Sequence, residues 1–232
     1  MTEPGGRVEF CDPVSSLHRH IDADRYDELY VVGDVHGCLD ELRRLWAAMG
    51  PTEDDLVVFV GDLVRKGPAS RAVVEFVRDR DNATTVRGNN EAKLLNGEVS
   101  RPELDPVREY IEDAPVALSW DGGLVVHGGV DPTRPLTSHS AEDLLETRSI
   151  PAGNGYDGPF WFEQYEGPPR VFFGHTVLGE PIDTTWAVGL DTGCVYGGSL
   201  TALATRAGEW FSVDATRTHQ QRADRKIVDP TV

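Results

Sequence analysis

A chain of 232 residues, 39% hydrophobic and 26% charged, is long enough for one large domain with a full core and is not disordered throughout. No apolar run approaches bilayer length, and the opening residues 1–6 lack the basic and apolar parts of a signal peptide, so a cytoplasmic protein without membrane contact is expected. The formal charge of −17 disfavours strong non-specific binding of nucleic acid, which needs phosphate-neutralising Lys and Arg.

Residues 1–26 are polar and carry Gly, Pro and Asp, and are expected to form a loosely packed arm. The apolar run Leu29–Val32 reads as a strand that ends in Gly33-Asp34-Val35-His36-Gly37. A helix follows, with Leu42, Leu45 and Trp46 at helical spacing. Leu56–Val60 is the next strand and closes on Gly61-Asp62. Pro68 opens a second helix with Val73, Val74 and Val77 on one face. Thr84–Val86 runs into Arg87-Gly88-Asn89-Asn90-Glu91, where a third helix begins, and Asp105–Glu112 reads as a fourth.

Two strands, Val116–Trp120 and Leu124–Val126, flank the turn signal Asp121-Gly122-Gly123, and the second ends in His127-Gly128-Gly129. Val171–Phe173 closes on Gly174-His175-Thr176, and strands are expected over 183–190, 200–205 and 209–213. The aromatics Phe160, Trp161, Phe162 and Tyr165 either wall a pocket or pack the core. Residues 215–232 read as a polar tail, leaving 27–214 as one domain. Alternating strands and helices followed mostly by strands predict an α/β fold, a sandwich of two mixed β-sheets flanked by helices. The Asp-, His- and Asn-bearing turns then collect at the carboxyl ends of the strands.

Those turns carry a metal-ligand set. Asp34 and His36 are two residues apart, so one short turn aims both at one ion. Asp62 has two oxygens and can bridge two ions, and Asn89, His127 and His175 can complete a second site. Carboxylate, amide and imidazole ligands together suit two divalent ions, Mn²⁺ foremost with Fe or Zn²⁺ also compatible. Such a pair can hold a phosphoryl oxygen and acidify a bridging water into a hydroxide nucleophile. The three cysteines have no zinc-finger spacing and are expected to be reduced thiols. The acidic, lysine-poor composition suits either a salt-accumulating cytoplasm or an ordinary acidic enzyme.

With Gly-Asp-Val-His-Gly, Gly-Asp-Leu-Val-x-x-Gly-Pro, Arg-Gly-Asn-x-Glu, His-Gly-Gly and Gly-His-Thr in order, the chain resembles calcineurin-like metallophosphoesterases of the phosphoprotein phosphatase branch. The stretch Leu190–Leu203 is similar to bacterial-type members. These include symmetrical dinucleoside tetraphosphatases, small protein phosphatases and the phosphatase domain of polynucleotide kinase-phosphatase. The resemblance implies Asp34, His36 and Asp62 on one metal and Asp62, Asn89, His127 and His175 on the other. It also implies phosphate-binding arginines, at Arg87 and Arg148.

Two positions depart from the family pattern together. Arg65 stands where relatives carry Asp, and Asn90 where they carry the general-acid His; Lys66 replaces a phosphate-gripping Arg. A general acid is worth about 10²- to 10⁴-fold in rate, and an alkoxide leaving group needs it far more than a phosphate does. The expected activity is metal-dependent hydrolysis of phosphate esters or anhydrides, similar to serine/threonine protein phosphatases, with Asp34, Asp62, Arg65, Lys66 and Asn90 at the reaction centre. The partner is a phosphorylated protein or nucleotide. Alternatives are a symmetrical dinucleoside tetraphosphate hydrolase, a nuclease, and a non-catalytic metal- or phosphate-binding module.

Overall fold

The computed structural model describes residues 7–229; positions 1–6 of the expected arm and 230–232 of the expected tail lie outside the described residues. In chain order the strands and helices are β1 (His18–His20), β2 (Leu29–Val32), α1 (Leu39–Met49), β3 (Leu56–Phe59), α2 (Ser70–Arg78), β4 (Ala83–Thr85), α3 (Asn89–Leu95), α4 (Arg108–Asp113), β5 (Ala117–Trp120), β6 (Gly123–Val126), α5 (Ala141–Glu146), β7 (Arg170–Phe173), β8 (Ile182–Asp183), β9 (Ala187–Gly189), β10 (Ser199–Ala204) and β11 (Glu209–Asp214).

They form two mixed sheets, as the chain order predicts. One has the order β11-β10-β2-β3-β4 and the other β1-β5-β6-β7-β9-β8. Within them β2, β3 and β4 are mutually parallel, as are β6, β7 and β9. Strands buried on both faces read as unbroken apolar runs, and β3 and β6 do so. Alternate residues sort to opposite faces. Val31, Val58, Val125, Phe172 and Val188 meet between the sheets, whereas Val32, Val57 and Phe59 pack under α1 and α2 against Leu42, Leu45, Val73 and Val77. The aromatics at 160–162 belong to the core: Trp161 lies 4.8 Å from Phe173 between ring centres, and its Nε1 donates to Gly128 O at 3.1 Å.

Three expectations need correction. The fourth helix is split, with a 3₁₀ turn over Pro102–Val107 before α4, because Pro106 has no N–H and disfavours helical geometry at Asp105. The stretch before residue 27 is not loose. Val8, Phe10 and Val14 are buried in the cluster with Leu124 and Phe173, and β1 pairs in parallel with β5. Polar composition concealed this because the buried apolar side chains Val8, Phe10 and Val14 are spaced among polar neighbours. The segment after β11 is also fastened, at Val228, which is buried and whose N–H donates to Val177 O at 2.8 Å. No described helix is long and apolar enough to cross a membrane.

Deleting residues through His20 removes three buried side chains, each contributing about 1.5–3 kcal/mol of burial, and uncovers β5. Thermal denaturation is expected to show a clearly lower Tm, whereas a loose arm would leave Tm unmoved.

Candidate metal centre and its cavity

The carboxyl ends of the parallel strands of both sheets meet along one seam. From one sheet come Asp34 and His36 after β2, Asp62 after β3, and Asn89 and Asn90 after β4; from the other come His127 after β6, His175 after β7 and Asp191 after β9. All eight are buried. His36 Nε2 lies 3.7 Å from Asp34 Oδ2 and 3.4 Å from Asp62 Oδ2, and His127 Nε2 lies 3.5 Å from Asp62 Oδ2. The His127 and His175 rings are 5.0 Å apart. Asn89 joins the group through its Oδ1, which accepts from Asn90 Nδ2 at 3.0 Å. The six ligand candidates distant in sequence are thus brought together around Asp62.

The backbone pays for this convergence in strain. Among the described residues, the non-glycine residues with positive φ are His36, Asp62, Arg65, Lys66 and His175, all in these turns. Each such residue costs about 1–3 kcal/mol. Glu91 holds the Asp62 turn in compensation: it accepts from Asp62 N at 2.9 Å, Gly88 N at 2.8 Å and Val64 N at 3.0 Å. Only glycine fits at 88 and 174, where a Cβ would fall 2.2 Å and 1.9 Å from carboxylate oxygens of Asp62 and Asp34. His175 N donates to Asp34 Oδ1 at 3.2 Å, tying the two sheets together at the seam.

The donor set fits divalent cations. His36 and His127 each direct Nδ1 at a backbone carbonyl, Val64 O at 3.0 Å and Val60 O at 2.9 Å, which turns both Nε2 atoms toward the carboxylates. His127 Nε2 is buried without a hydrogen-bond partner. Burial, with Asp191 and Asp62 nearby, raises the Asp34 carboxyl well above its usual range. Burial also opposes ionisation of Asp62, but His127 and His36 beside it hold it well below that range. Burial likewise disfavours charge on His127, yet Asp62 and Asp34 push its imidazole up to about 10. A seam that draws a proton so strongly onto one imidazole is short of positive charge, and metal cations supply such charge.

The centre opens into a cavity of about 280 Å³. Arg65, Lys66 and Arg148 line it, together with Lys93, Tyr156, Asp191, Tyr196 and Arg222. Lys66 Nζ donates to His36 Nε2 at 2.6 Å, and Arg148 Nη2 donates to His175 Nε2 at 2.5 Å. Arg65 and Asn90 contact each other: Arg65 Nη1 donates to Asn90 Oδ1 at 2.8 Å, and Asn90 Nδ2 donates to Asp62 Oδ2. Asn90 therefore sits within α3 and does not cap it; the N-cap position is Gly88.

Arg87 is the exception among the predicted cations. Its Nη2 donates to the carbonyls of Glu112 and Ala114 at 2.7 and 3.1 Å, and it does not line the cavity. The Arg-Gly-Asn motif of the resemblance was its signal, and the chain turns it toward the end of α4. Sequence reasoning missed Asp191, although it too closes an apolar run, and missed Glu91 as a support. Tyr156, Tyr196 and Arg222 carried no local signal at all.

With this geometry in place, comparison with known proteins decides the family. Residues 28–226 match the profile of the calcineurin-like phosphoesterases. The chain belongs to that family and is a phosphoric-ester hydrolase. It is 29% identical over 241 residues to the asymmetrical bis(5'-nucleosyl)-tetraphosphatase PrpE of Bacillus subtilis, covering 85% of this chain and 98% of that protein. The symmetrical bis(5'-nucleosyl)-tetraphosphatase of Vibrio parahaemolyticus is 26% identical, covering 80% and 98%. A crystal structure of a candidate diadenosine tetraphosphatase superposes with a TM-score of 0.74 at 28% identity, covering 85% of this chain and 97% of that one. A serine/threonine phosphatase of Saccharomyces cerevisiae shares the fold, with a TM-score of 0.59 at 16% identity, covering 89% and 84%.

Glu91→Gln replaces one of two carboxylate oxygens that accept backbone N–H groups with an amide nitrogen that cannot accept. A stability loss of about 1–3 kcal/mol is expected for each donor left unpaired, measured by urea denaturation, with a matching fall in divalent-metal binding by calorimetry. Unchanged metal affinity would show that Glu91 does not support the Asp62 turn.

Proposed function

We propose that the chain hydrolyses phosphoanhydride bonds of dinucleoside polyphosphates. Asp34, His36 and Asp62 would hold one divalent ion, and Asp62, Asn89, His127 and His175 a second. Carboxylate, amide and imidazole donors suit Mn²⁺, with Fe and Zn²⁺ also compatible. Bound there, divalent ions supply Lewis acidity toward phosphoryl oxygens and lower the pKa of water.

The observation that carries the reading is a set of cations at the cavity wall that no carboxylate pairs. In a protein of net charge −17, Arg65, Lys66 and Arg148 all line the cavity, and none of them forms a salt bridge among the described residues. Half-buried cations without salt-bridge partners suit a multiply charged anion. Lys66 stays protonated: burial opposes its charge, but Asp62 raises its pKa above the usual value. Lys66 and Arg148, next to His36 and His175, are placed to neutralise charge building up on the phosphoryl oxygens.

The Arg65–Asn90 pair favours anhydrides over alkyl esters. An amide has no proton to transfer and a guanidinium does not ionise, so this position supplies hydrogen bonds but no acid. A departing phosphate tolerates that, whereas the alkoxide leaving phosphoserine does not. The tetraphosphatase names of the relatives point the same way. The protein phosphatase reading, in contrast, would need an acid that the pair does not provide.

Two results are expected from a substrate panel with Mn²⁺. A dinucleoside tetraphosphate should be cleaved at least about 10²-fold faster than a phosphoserine peptide, and chelator should abolish both activities. A wild type that prefers the peptide would overturn the reading. Asn90→His alone leaves Arg65 against the new imidazole and should gain little. Asn90→His with Arg65→Asp should raise phosphoserine hydrolysis by about 10²-fold or more, read as kcat.

A further inference from the structure

The segment after β11 crosses the mouth of the cavity as a strap. It is fastened on one side by His219 N and Gln220 N, which donate to Val195 O at 3.0 and 3.1 Å. On the other side Val228 N donates to Val177 O at 2.8 Å, and Gly179 N donates to Val228 O at 2.9 Å. Between these fastenings, residues 221–227 are exposed except for Arg222, which is half-buried and lines the cavity.

Arg222 is held in a fixed pose. Its guanidinium carbon lies 4.6 Å from the centre of the Tyr196 ring and 5.3 Å from that of Tyr156. Nη2 donates to the Tyr156 hydroxyl, and Nε donates to Lys226 O at 2.8 Å. It forms no salt bridge among the described residues. Stacking on two rings pre-orders the planar fork, so little further side-chain entropy is lost when it takes a phosphate.

The cations of the cavity then fall into two tiers. Lys66 and Arg148 contact His36 and His175 at the centre itself. Arg222 has no hydrogen bond to the centre among the described residues and lies on the far side of this contact chain, against Tyr196 and Tyr156, whose rings also face Lys66 at 5.2 Å and Arg148 at 4.4 Å. A lone phosphate is served by the inner tier, whereas a phosphate chain running outward meets Arg222. We propose that Arg222 is a specificity-determining residue that binds the phosphates beyond the one under attack, and so selects polyphosphate chains over phosphomonoesters. The proposal rests on the phosphoanhydride reading and deepens it.

The test compares kcat/KM for a dinucleoside tetraphosphate and for p-nitrophenyl phosphate in wild type, Arg222→Ala, Arg222→Lys and Arg225→Ala, all with Mn²⁺. Arg222→Ala should lower the tetraphosphate-to-aryl-phosphate ratio by about 10- to 100-fold, the worth of a charge-assisted contact, chiefly through KM for the tetraphosphate. Arg222→Lys keeps the charge without the fork and should recover part of the loss. Arg225 is exposed on the same strap, and Arg225→Ala should match wild type. An unchanged ratio in Arg222→Ala, alongside a wild type that prefers the tetraphosphate, overturns the role of Arg222 and leaves the functional reading standing. A wild type that prefers the aryl phosphate overturns both.

Discussion

Mutual repulsion of buried carboxylates at the seam between the sheets is the constraint on which the rest of the structure depends. Asp34, Asp62 and Asp191 are all buried, and Asp34 and Asp191 are both pushed toward the protonated form. Two unit charges about 4 Å apart interact by roughly 4 kcal/mol at the effective dielectric of a protein surface, and more in drier surroundings. Such a cluster persists only if cations and hydrogen-bond donors surround it. His127, Lys66 and the backbone N–H groups of Asn90 and His175 supply part of that environment, and divalent ions fit the remainder.

The fold makes this arrangement possible because each sheet ends three parallel strands at the same place. Strands that are buried on both faces are fixed in position by packing, so the turns that follow them start from rigid points. The turns themselves are strained, as the positive φ values of His36, Asp62 and His175 show. Strain of that kind is tolerated when surrounding contacts over-determine it. Here the three N–H groups gathered by Glu91 and the cross-sheet bond from His175 to Asp34 do so.

The departures at 65 and 90 become intelligible once they are seen side by side. A histidine oriented by a carboxylate is replaced by an amide oriented by a guanidinium, with the amide still directed at Asp62. The exchange keeps the geometry of a supported polar side chain and removes the transferable proton. On the proposed reading, chemistry at this position would shift from proton donation to hydrogen bonding, which would matter most for the leaving group.

Strand ends and their Asp, His and Asn residues were legible in the chain because apolar runs stop at glycine-marked turns, and that local pattern is written in consecutive residues. The same pattern extends to Asp191, which follows Leu190 directly. Arg87 was misplaced because adjacency along the chain does not say which way a side chain turns after a strand. The burial of Val8, Phe10 and Val14, and the return of Val228 to the core, rest on a few apolar contacts far apart in sequence that polar neighbours obscure. Tyr156, Tyr196 and Arg222 meet only because loops from distant parts of the chain cover the same cavity. The sequence by itself therefore determined the family and the fold class, and named the turns that converge at the seam. Tertiary structure alone decided which cations face the centre, because side-chain direction and long-range loop packing follow from contacts that no local spacing encodes.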